Sequence, residues 1–525
     1  MIFRSPFGDV TVPDTSLPAF VLAQRRRGDR VAVVDGPSGR AMTYDELADA
    51  VGRVASALAA RGLAKGDVFA IWCPNSLEFV VAYYGALTAG AIVTTINPMA
   101  TAQDGERQLT HADARWLLTT ADLLAEKAGN AAAAAGVAHL LTVGESSAAT
   151  PFAELLAGDQ GGQPVAVHPD DPALLPFSSG TTGLPKGVIL THRNLVASLC
   201  ATAPVHRVRA DDTVVAVLPL FHIYGMQIAM NLALHAGATV VTLPRFDLAE
   251  FLRVLQDHRV TRADVVPPIV LALAKHPAVD DYDVSSLRVI TSAAAPLGED
   301  LAHACATRLG CRVKQAYGMT ELGGGSHFAP DDGRDDPASI GPPLPGVECR
   351  VVDYASGTDL GPGALGELLV RTPAAMRGYL GDEAATASTI DGEGWVHTGD
   401  VVSVDGDGWF TVVDRVKELI KYNGYQVPPA ELEAVLVTHP AVADVAVVAG
   451  TDDTGAEVPK AFVVRRSPVS AEELQQFVAD RVAPYKRIRQ VEFVDEIPKS
   501  PAGKILRRVL VERSRAASEP VAVAP

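Results

Sequence analysis

The chain has 525 residues, enough for several domains and a large core. Hydrophobic residues make up 48% of it, which excludes a disordered chain, and the formal net charge of −17 argues against general binding to nucleic acids or anionic membranes. Its five cysteines show no metal-binding spacing, as expected of a reduced cytoplasmic protein. We see neither a signal peptide nor an uncharged apolar run of about 18 residues, so we expect no membrane span.

Predicted helices and short apolar strands alternate through the first 240 residues. Thr43 and Glu46 have the spacing of a capping box and start a helix that continues to about Arg61. Strands are predicted at residues 66–72 and 91–96, on either side of an amphipathic helix at 76–89. This alternation predicts an α/β fold with a mostly parallel sheet flanked by helices.

Residues 178–187 form a loop rich in glycine and hydroxyl side chains between two apolar segments. The glycines allow backbone N–H groups to approach an anion, the hydroxyls add donors, and Lys186 adds a positive charge. Lys186 lies between Pro185 and Gly187, so this is not the phosphate loop of the common NTPases. The pattern predicts a polyphosphate-binding loop, with a plain hairpin loop as the alternative.

Three later segments carry candidate ligand contacts. Phe221 and Tyr224 flank His222 at the end of a predicted strand, where the histidine either meets a ligand or is packed in the core. Residues 314–321 offer an aromatic face, a hydroxyl and the hard carboxylate oxygens that Mg²⁺ prefers, although a strand followed by a helix cap explains them equally well. Asp400 follows a glycine and is either a turn residue or an acceptor for ribose hydroxyls.

The pattern changes twice toward the end of the chain. Residues 340–413 read as short alternating strands and predict a small β-rich subdomain within an N-terminal domain of residues 1–414. After a boundary at 415–417, helices and strands form a compact α+β domain over 418–525. We expect the tail from about Arg513 to be disordered.

Six of these motifs, in one order between Thr43 and Lys504, resemble the adenylate-forming superfamily of acyl-CoA synthetases, peptide-synthetase adenylation domains and beetle luciferases. They are residues 178–187, 317–321, 398–400 and 414–417, Gly424 and Lys504. Residues 221–224, 315–321 and 417–426 are most similar to 4-coumarate–CoA ligases. Two positions depart from that pattern: Ala316 stands where the family often has glycine, and residues 366–372 differ from the second signature of the plant enzymes.

The resemblance implies an N-terminal adenylation domain and a mobile C-terminal domain that catalyse two half-reactions. A carboxylic acid, expected to be cinnamate or 4-coumarate, attacks the α-phosphate of ATP to give an acyl-adenylate and pyrophosphate. The thiol of CoA then displaces AMP. ATP, Mg²⁺ and CoA are therefore the expected cofactor and co-substrates, and Lys417 in the 415–417 segment is the expected hinge.

The resemblance also assigns site residues. Those expected to bind ATP or AMP are Ser178, Ser179, Gly180, Thr181, Thr182, Lys186, Gln315, Ala316, Tyr317, Thr320, Asp400 and Arg415. Those expected to act in catalysis are Lys504, Lys421, Gln426 and His222, with Glu321 as the metal ligand. Those expected to bind CoA are Arg245, Asn423 and Gly424.

Small residues after a predicted strand at 287–295 are expected to form the acid pocket. The expected pocket residues are Phe221, Tyr224, Ala293, Ala294, Ala295 and Ala316. The resemblance puts Ala294 beside the aromatic ring of the acid, so a 3-methoxy group, as in ferulate, should clash with its methyl group. We expect Ala294→Gly to admit that group, at a cost of about 1 kcal/mol for glycine at a strand end.

Three alternatives stay open: a fatty-acyl-CoA synthetase, an adenylating enzyme that loads a carrier protein, and a non-catalytic nucleotide-binding relative. The intact segment 421–426 favours CoA as the acceptor. The joint presence of Lys186, Glu321 and Lys504 argues against a non-catalytic protein. The sequence does not distinguish a monomer from a homodimer.

Overall fold

We describe a computed structural model of the chain over residues 1–23, 28–158, 165–178, 185–422, 425–452, 456–500 and 503–518. The α-helices α1–α16 span, in order, Leu17–Leu22, Tyr44–Ala60, Leu77–Thr88, Ala102–His111, Ala121–Leu123, Gly129–Ala134, Phe152–Leu156, His192–His206, Ala233–Ala236, Leu248–Asp257, Pro267–Lys275, Glu299–Leu309, Glu383–Thr389, Pro429–Leu436, Ala471–Ala479 and Arg507–Ser518. Two π-helical segments span Leu124–Ala128 and Gly225–Leu232, and 3₁₀ turns span Pro277–Asp281, Thr320–Leu322 and Pro484–Lys486.

The β-strands pair into several sheets. Strands β1–β27 span, in order, Phe3–Arg4, Val31–Asp35, Ala41–Thr43, Val68–Trp72, Ile92–Thr95, Ala114–Thr120, His139–Val143, Thr150–Pro151, Pro172–Leu174, Phe177–Ser178, Lys186–Thr191, Thr213–Ala216, Thr239–Thr242, Arg262–Val265, Val289–Ser292, Arg312–Met319, Gly324–Phe328, Glu348–Val352, Gly366–Arg371, Gly378–Tyr379, Val396–Val404, Phe410–Arg415, Ile420–Tyr422, Tyr425–Val427, Val442–Thr451, Glu457–Arg465 and Gln490–Phe493.

Two large sheets build most of the N-terminal domain. One has the strand order β10-β11-β9-β5-β4-β6-β7-β8, with β20 paired to β11, and the other has the order β17-β16-β15-β14-β12-β13-β2-β3. Strands β12 to β16 pair in parallel, as do β4 with β5 and β6. The predicted α/β fold with mostly parallel sheets is confirmed. Because the carboxyl ends of parallel strands meet at one edge, ligands are expected there.

Helix α3 contacts strands of both large sheets and is buried nearly all round. The prediction of an amphipathic helix for this segment is wrong, because a helix between two sheets has no face toward water. The start of α2 is as predicted: the Thr43 side chain accepts from the Glu46 amide at 3.2 Å, and Glu46 accepts from the Thr43 amide at 2.8 Å. The capping box therefore fixes where the chain leaves β3.

Strands β1, β18, β19, β21 and β22 form an antiparallel sheet that matches the predicted β-rich subdomain. Strand β22 ends at Arg415, where the predicted hinge begins. The hairpin β23–β24 follows, and then a three-stranded sheet of β25, β26 and β27 with α14, α15 and α16. This is the α+β unit that the sequence predicted.

The prediction of a disordered tail from about Arg513 was wrong for residues up to Ser518, which belong to α16. Leu510 is 1% exposed and packs with Ala446, Val448 and Phe462 of the three-stranded sheet. Arg513 donates to Glu492 at 2.9 Å. The many charged residues of α16 obscure, in the sequence, the apolar face that carries Leu510. None of the described helices combines the length and apolar character needed to cross a lipid bilayer.

Candidate active site

A cavity of about 1520 Å³ lies where segments after β12, β15 and β16 meet the five-stranded sheet and the C-terminal domain. Pockets for one small ligand are typically roughly 300–1,000 Å³, so this one has room for more than one. Its walls include Lys186, Glu321, Arg415 and Lys504, which come from four distant parts of the sequence. The fold therefore brings together cations and a carboxylate that the sequence analysis had connected only by resemblance.

The predicted phosphate loop starts and ends in paired strands. Ser178 at the end of β10 and Lys186 at the start of β11 are register partners, and both line the cavity. The Ser178 hydroxyl is buried without a hydrogen-bond partner among the described residues. Buried hydroxyls are normally paired, so the partner of this one is either a ligand or a residue outside the described ranges. Ser179, Gly180, Thr181 and Thr182 lie outside the described residues.

Glu321 belongs to the 3₁₀ turn Thr320–Leu322, and its side chain is only 6% exposed. Its Oε1 atom accepts from the Tyr379 hydroxyl at 2.9 Å, and the Lys186 ammonium lies 4.9 Å from the centre of the Tyr379 ring. Burial and Glu321 raise the pKa of Tyr379, so the phenol remains a donor. Tyr379 thus couples the phosphate-loop lysine to the carboxylate.

Glu321 fits the role of a magnesium ligand. Its carboxylate is held in place by Tyr379 and lines the cavity together with Thr320. No group of three or more His, Cys, Asp or Glu side chains within the described ranges could hold a metal alone. Mg²⁺ commonly binds through one or two carboxylates plus substrate phosphates, which is the arrangement that a single buried glutamate beside a phosphate site allows.

Asp400 and Arg415 are register partners on β21 and β22. The Arg415 Nε atom lies 3.2 Å from Asp400 Oδ1, and the Tyr317 hydroxyl donates to Asp400 Oδ2 at 2.6 Å. Asp400 does not itself line the cavity, whereas its neighbours Gly399 and Arg415 do. Each carboxylate oxygen can accept more than one hydrogen bond, so Asp400 keeps capacity for a further donor. Burial and Asp400 raise the pKa of Tyr317 well above its usual value, which keeps its hydroxyl protonated.

Gln315, a predicted nucleotide contact, has its side-chain amide bonded to the backbone of two other segments. Its Oε1 atom accepts from the Leu297 amide at 2.9 Å, while its Nε2 atom donates to the carbonyls of Leu297 and Pro337 at 3.2 and 2.7 Å. The amide is therefore used within the protein, and Gln315 does not line the cavity. It holds the segment that follows β15, whereas its neighbour Ala316 does face the cavity.

Apolar side chains form part of the cavity wall. Phe221, Tyr224, Ala293, Ala294 and Ala316 line the cavity, but Ala295 does not. The chain turns after Ala294, because β15 ends at Ser292 rather than continuing through the alanines.

The ring of Tyr224 in this wall is held in place by a hydrogen bond. The Tyr224 hydroxyl donates to the Thr291 carbonyl at 3.0 Å, which fixes the ring against the pocket. Ile228 and Phe328 complete the wall, although the sequence analysis did not predict them.

His222 lines the cavity, and its Nδ1 atom accepts from the Tyr224 amide at 3.3 Å. Burial, together with the positive charge of Lys504, lowers the pKa of His222 to about 4. The imidazole is therefore neutral near pH 7, and with Nδ1 accepting, its proton resides on Nε2. This histidine can donate a hydrogen bond, but it does not carry a charge.

Lys504 enters the cavity from the C-terminal domain. A tight turn holds it: the Lys504 amide donates to Ser500 Oγ at 3.1 Å, and the Lys504 carbonyl accepts from the Ser500 amide at 2.7 Å. Burial and Arg415 lower the pKa of Lys504, while Asp400 and Glu321 act in the opposite direction. Lys504 therefore lies among positively and negatively charged side chains. Binding of an anion nearby would favour its protonated, charged form.

Among the described residues, three that are assigned to catalysis or to CoA do not line this cavity: Lys421, Gln426 and Arg245. Lys421 and Gln426 are register partners on β23 and β24; Lys421 is exposed, and Gln426 Oε1 accepts from the Tyr354 hydroxyl. Arg245 is exposed after β13 and does not line the cavity. Asn423 and Gly424 fall outside the described residues. Lys417 lines the cavity just after β22.

Comparison with known proteins agrees with this geometry. The model of the AMP-binding enzyme family matches residues 20–380, and that of the AMP-binding enzyme C-terminal domain matches residues 431–504. The chain belongs to the AMP-binding enzyme family. The predicted family resemblance is confirmed.

Three relatives illustrate the likeness over the whole chain. A 4-coumarate–CoA ligase of Oryza sativa subsp. japonica is 42% identical over 100% of this chain and 97% of its own length. One of Pinus taeda is 41% identical over 99% of this chain and 98% of its own. The crystal structure of an anthranilate–CoA ligase with anthranoyl-AMP superposes with a TM-score of 0.89 at 27% identity, covering 96% of this chain and 98% of that one.

Proposed function

We propose that this chain is an ATP-dependent carboxylic acid–CoA ligase that acts on a cinnamate-type aryl acid such as 4-coumarate. The relatives confirm the class, an AMP-forming acid–thiol ligase. The observation that carries the residue assignments is the entry of Lys504 into the cavity that also contains Lys186, Glu321 and Arg415.

In the first half-reaction, a carboxylate oxygen of the acid forms a bond to the α-phosphorus of ATP. The bond from that phosphorus to the β-bridging oxygen breaks, and pyrophosphate leaves with the electron pair. Negative charge accumulates on the α-phosphate, so donors and cations aimed at it lower the barrier. Lys504 bridges the attacking carboxylate and the α-phosphate, while Thr320 donates to the same phosphate.

The remaining polar groups hold the nucleotide. Lys186 and the hydroxyls of residues 178–182 bind the β- and γ-phosphates, and Asp400 with Arg415 binds the ribose. Glu321 would hold Mg²⁺, which supplies charge neutralisation for the leaving pyrophosphate. Neutral His222 donates from Nε2 to the acid and orients it without adding charge.

In the second half-reaction, the CoA thiol attacks the carbonyl carbon of the acyl-adenylate, and the bond to the AMP oxygen breaks. Lys421, Gln426 and Gly424 belong to this step, and Arg245 meets the CoA nucleotide. Because Lys421 and Gln426 lie outside the cavity while Lys504 lies inside, the C-terminal domain must turn about Lys417 between the steps. The arrangement in this structure suits adenylation.

The class of acid is supported by the walls and by the relatives. Tyr224, Phe221 and Phe328 provide flat surfaces in the cavity wall, and the other lining residues Ala293, Ala294 and Ala316 are small. The relatives named above act on 4-coumarate or anthranilate, which are both planar aryl acids. A pocket of this kind suits a ring better than a flexible alkyl chain.

A pyrophosphate-release screen over cinnamates, benzoates and fatty acids, followed by detection of CoA adducts, tests the proposal. We expect the highest kcat/KM with 4-coumarate or cinnamate, together with a free thioester. A preference for fatty acids would refute the aryl pocket. Adenylation without a CoA adduct would identify an enzyme that loads a carrier protein.

Lys504→Ala tests the role of the lysine. Adenylation should fall by the roughly 10²–10³-fold typical of losing one electrostatic contact to a transition state. Thioester formation from pre-made acyl-adenylate should survive. Arg508→Ala is the matched control, since Arg508 is a nearby cation whose side chain is 80% exposed. Equal loss of both activities in Lys504→Ala would refute the assignment.

A further inference from the structure

Helix α11 contacts the C-terminal domain at both of its ends. At its start, Gly503 packs so closely that an added Cβ would lie 3.0 Å from Val266 Cγ2 and 3.7 Å from Pro268 Cδ. At its end, the Lys275 ammonium donates to the Val437 carbonyl at 3.0 Å. The helix has 9 residues, about 13 Å at 1.5 Å per residue, and so joins two separate contacts across the domain interface.

The contact at Lys275 has favourable electrostatics. Val437 is the C-cap of α14, where unpaired carbonyls and the helix dipole concentrate partial negative charge. Within their own domain, Thr438 and His439 donate to the preceding carbonyls of α14, at Val435 and Leu436. The lysine from the other domain therefore adds a donor and a positive charge at the next carbonyl of this helix end. A hydrogen bond from a charged group is stronger than one between neutral groups.

The other contacts near Lys275 place the same helix on the N-terminal domain. An added Cβ on Gly298, just before α12, would lie 3.4 Å from the Ala434 side chain in the middle of α14. Helix α14 thus rests between the end of α11 and the start of α12, while the neighbouring Gly503–Lys504 segment rests on the start of α11. Because α14 and Lys504 belong to the same domain, a rigid movement of that domain would displace both.

We propose that Lys275 is a positioning residue that favours the adenylation orientation by capping α14 across the interface. The proposal rests on the two-step function proposed above. Lys275 does not touch substrate and does not line the cavity; it acts through the placement of Lys504. Burial and the nearby Arg466 lower the pKa of Lys275, so part of the gain from the contact is offset by desolvation.

The test uses Lys275→Met, which retains length and apolar bulk but removes the donor and the charge. Loss of one partly offset charge-assisted hydrogen bond should lower the ratio of docked to undocked molecules roughly tenfold. Adenylation should fall by up to that factor, whereas thioester formation from pre-made acyl-adenylate should be unchanged or faster. Lys275→Arg keeps a cationic donor and should behave more like the wild type.

A second measurement does not depend on activity. Cysteines at Gly298 and Ala434 would have Cβ atoms 3.4 Å apart, close to the range of about 3.5–4.5 Å that a disulfide needs. The pair Gly298→Cys with Ala434→Cys therefore reports docking of α14 as a cross-linking rate. We expect that rate to fall when Lys275→Met is added and to recover with Lys275→Arg.

The outcomes separate the two proposals. Unchanged cross-linking in the Lys275→Met background, or equal losses in both half-reactions with normal thermal stability, would overturn the role of Lys275. A wild-type protein that adenylates no acid would instead overturn the proposed function, while the cross-linking result would still show whether Lys275 holds α14 in place.

Discussion

Ala294 has a backbone conformation that its side chain disfavours. Its φ of 72° lies in the left-handed region, and of the four described non-glycine residues with positive φ it alone lines the cavity. A left-handed residue with a Cβ costs roughly 1–2 kcal/mol, and alanine has no polar atom with which to offset that cost. The strain is local, because β15 has already ended at Ser292.

The sequence alone predicted that Ala294→Gly would lower the stability of the folded protein. The backbone conformation predicts no such loss. Relief of the left-handed strain should stabilise the folded state by about 1 kcal/mol or more. The greater freedom of glycine in the unfolded chain removes about 0.4–1 kcal/mol of that gain. We expect a stability change between zero and a small increase, where a strand-end residue would have lost about 1 kcal/mol.

The same substitution should change the choice of substrate. Removal of the methyl group relieves an overlap with a 3-methoxy substituent, and overlaps of that size cost about 1–3 kcal/mol. The ratio of kcat/KM for ferulate to that for 4-coumarate should therefore rise by roughly 10–200-fold.

Ala293→Gly is the matched control. Ala293 also lines the cavity but is not among the residues with positive φ, so its replacement should cost about 0.5–1 kcal/mol. Urea denaturation of the two variants measures the stability difference, and steady-state assays with both acids measure specificity. If Ala294→Gly changes kcat/KM for both acids by the same factor, Ala294 does not touch the ring. If Ala294→Gly lowers protein stability as much as Ala293→Gly does, the backbone of Ala294 is not strained.

Two further predictions concern CoA transfer and acid stability. Gly424→Leu should leave adenylation, followed as pyrophosphate exchange, nearly unchanged while thioester output collapses, because a side chain there would obstruct the pantetheine arm; a parallel fall in both rates would make Gly424 a turn residue only. His192, 1% exposed, accepts from the Leu17 amide at 3.2 Å, and burial lowers its pKa to about 4. The unfolded chain, with a histidine pKa near 6.5, then binds more protons, so stability is lost as pH falls from about 6.5 toward 4. Between pH 7 and 5 this single group contributes about 2 kcal/mol to that loss. The urea midpoint of His192→Asn should fall less over that interval than that of the wild type, and an equal fall in both proteins would contradict this reasoning.

The parts of the site that the sequence predicted are those carried by short contiguous motifs. Lys186 follows a glycine-rich segment, and Thr320 with Glu321 directly follows strand β16. The two segments belong to different sheets, yet both line the same cavity. Asp400 and Arg415 were assigned separately by resemblance. They pair directly across β21 and β22 because of the strand register. The alternation of polar and apolar residues along the strands does not by itself determine that register.

Other residues could not be predicted because their roles depend on distant packing. Tyr379 lies in the two-residue strand β20, and only the pairing of β20 with β11 brings it near Lys186 and Glu321. Gln315 lies within a recognisable motif, yet its amide is used by Leu297 and Pro337. A motif identifies which segment approaches the ligand, but hydrogen-bond competition decides which side chain remains available.

The residues at the domain interface explain why the docked arrangement can be both specific and reversible. Gly298, Ala434 and Gly503 permit close approach of the two domains, but these three residues contribute little apolar area because they carry one methyl group between them. The hydrogen bonds from Lys275 and Tyr354 then fix the relative orientation of the two domains. Their net contribution to the free energy of docking is modest, because each group exchanges a water partner for a protein partner. A larger apolar interface would hold Lys504 in the cavity more firmly, and the same stability would slow the domain rotation proposed for the second half-reaction. Small residues with a few directional contacts therefore fit the proposal that this domain docks for one step and leaves for the next.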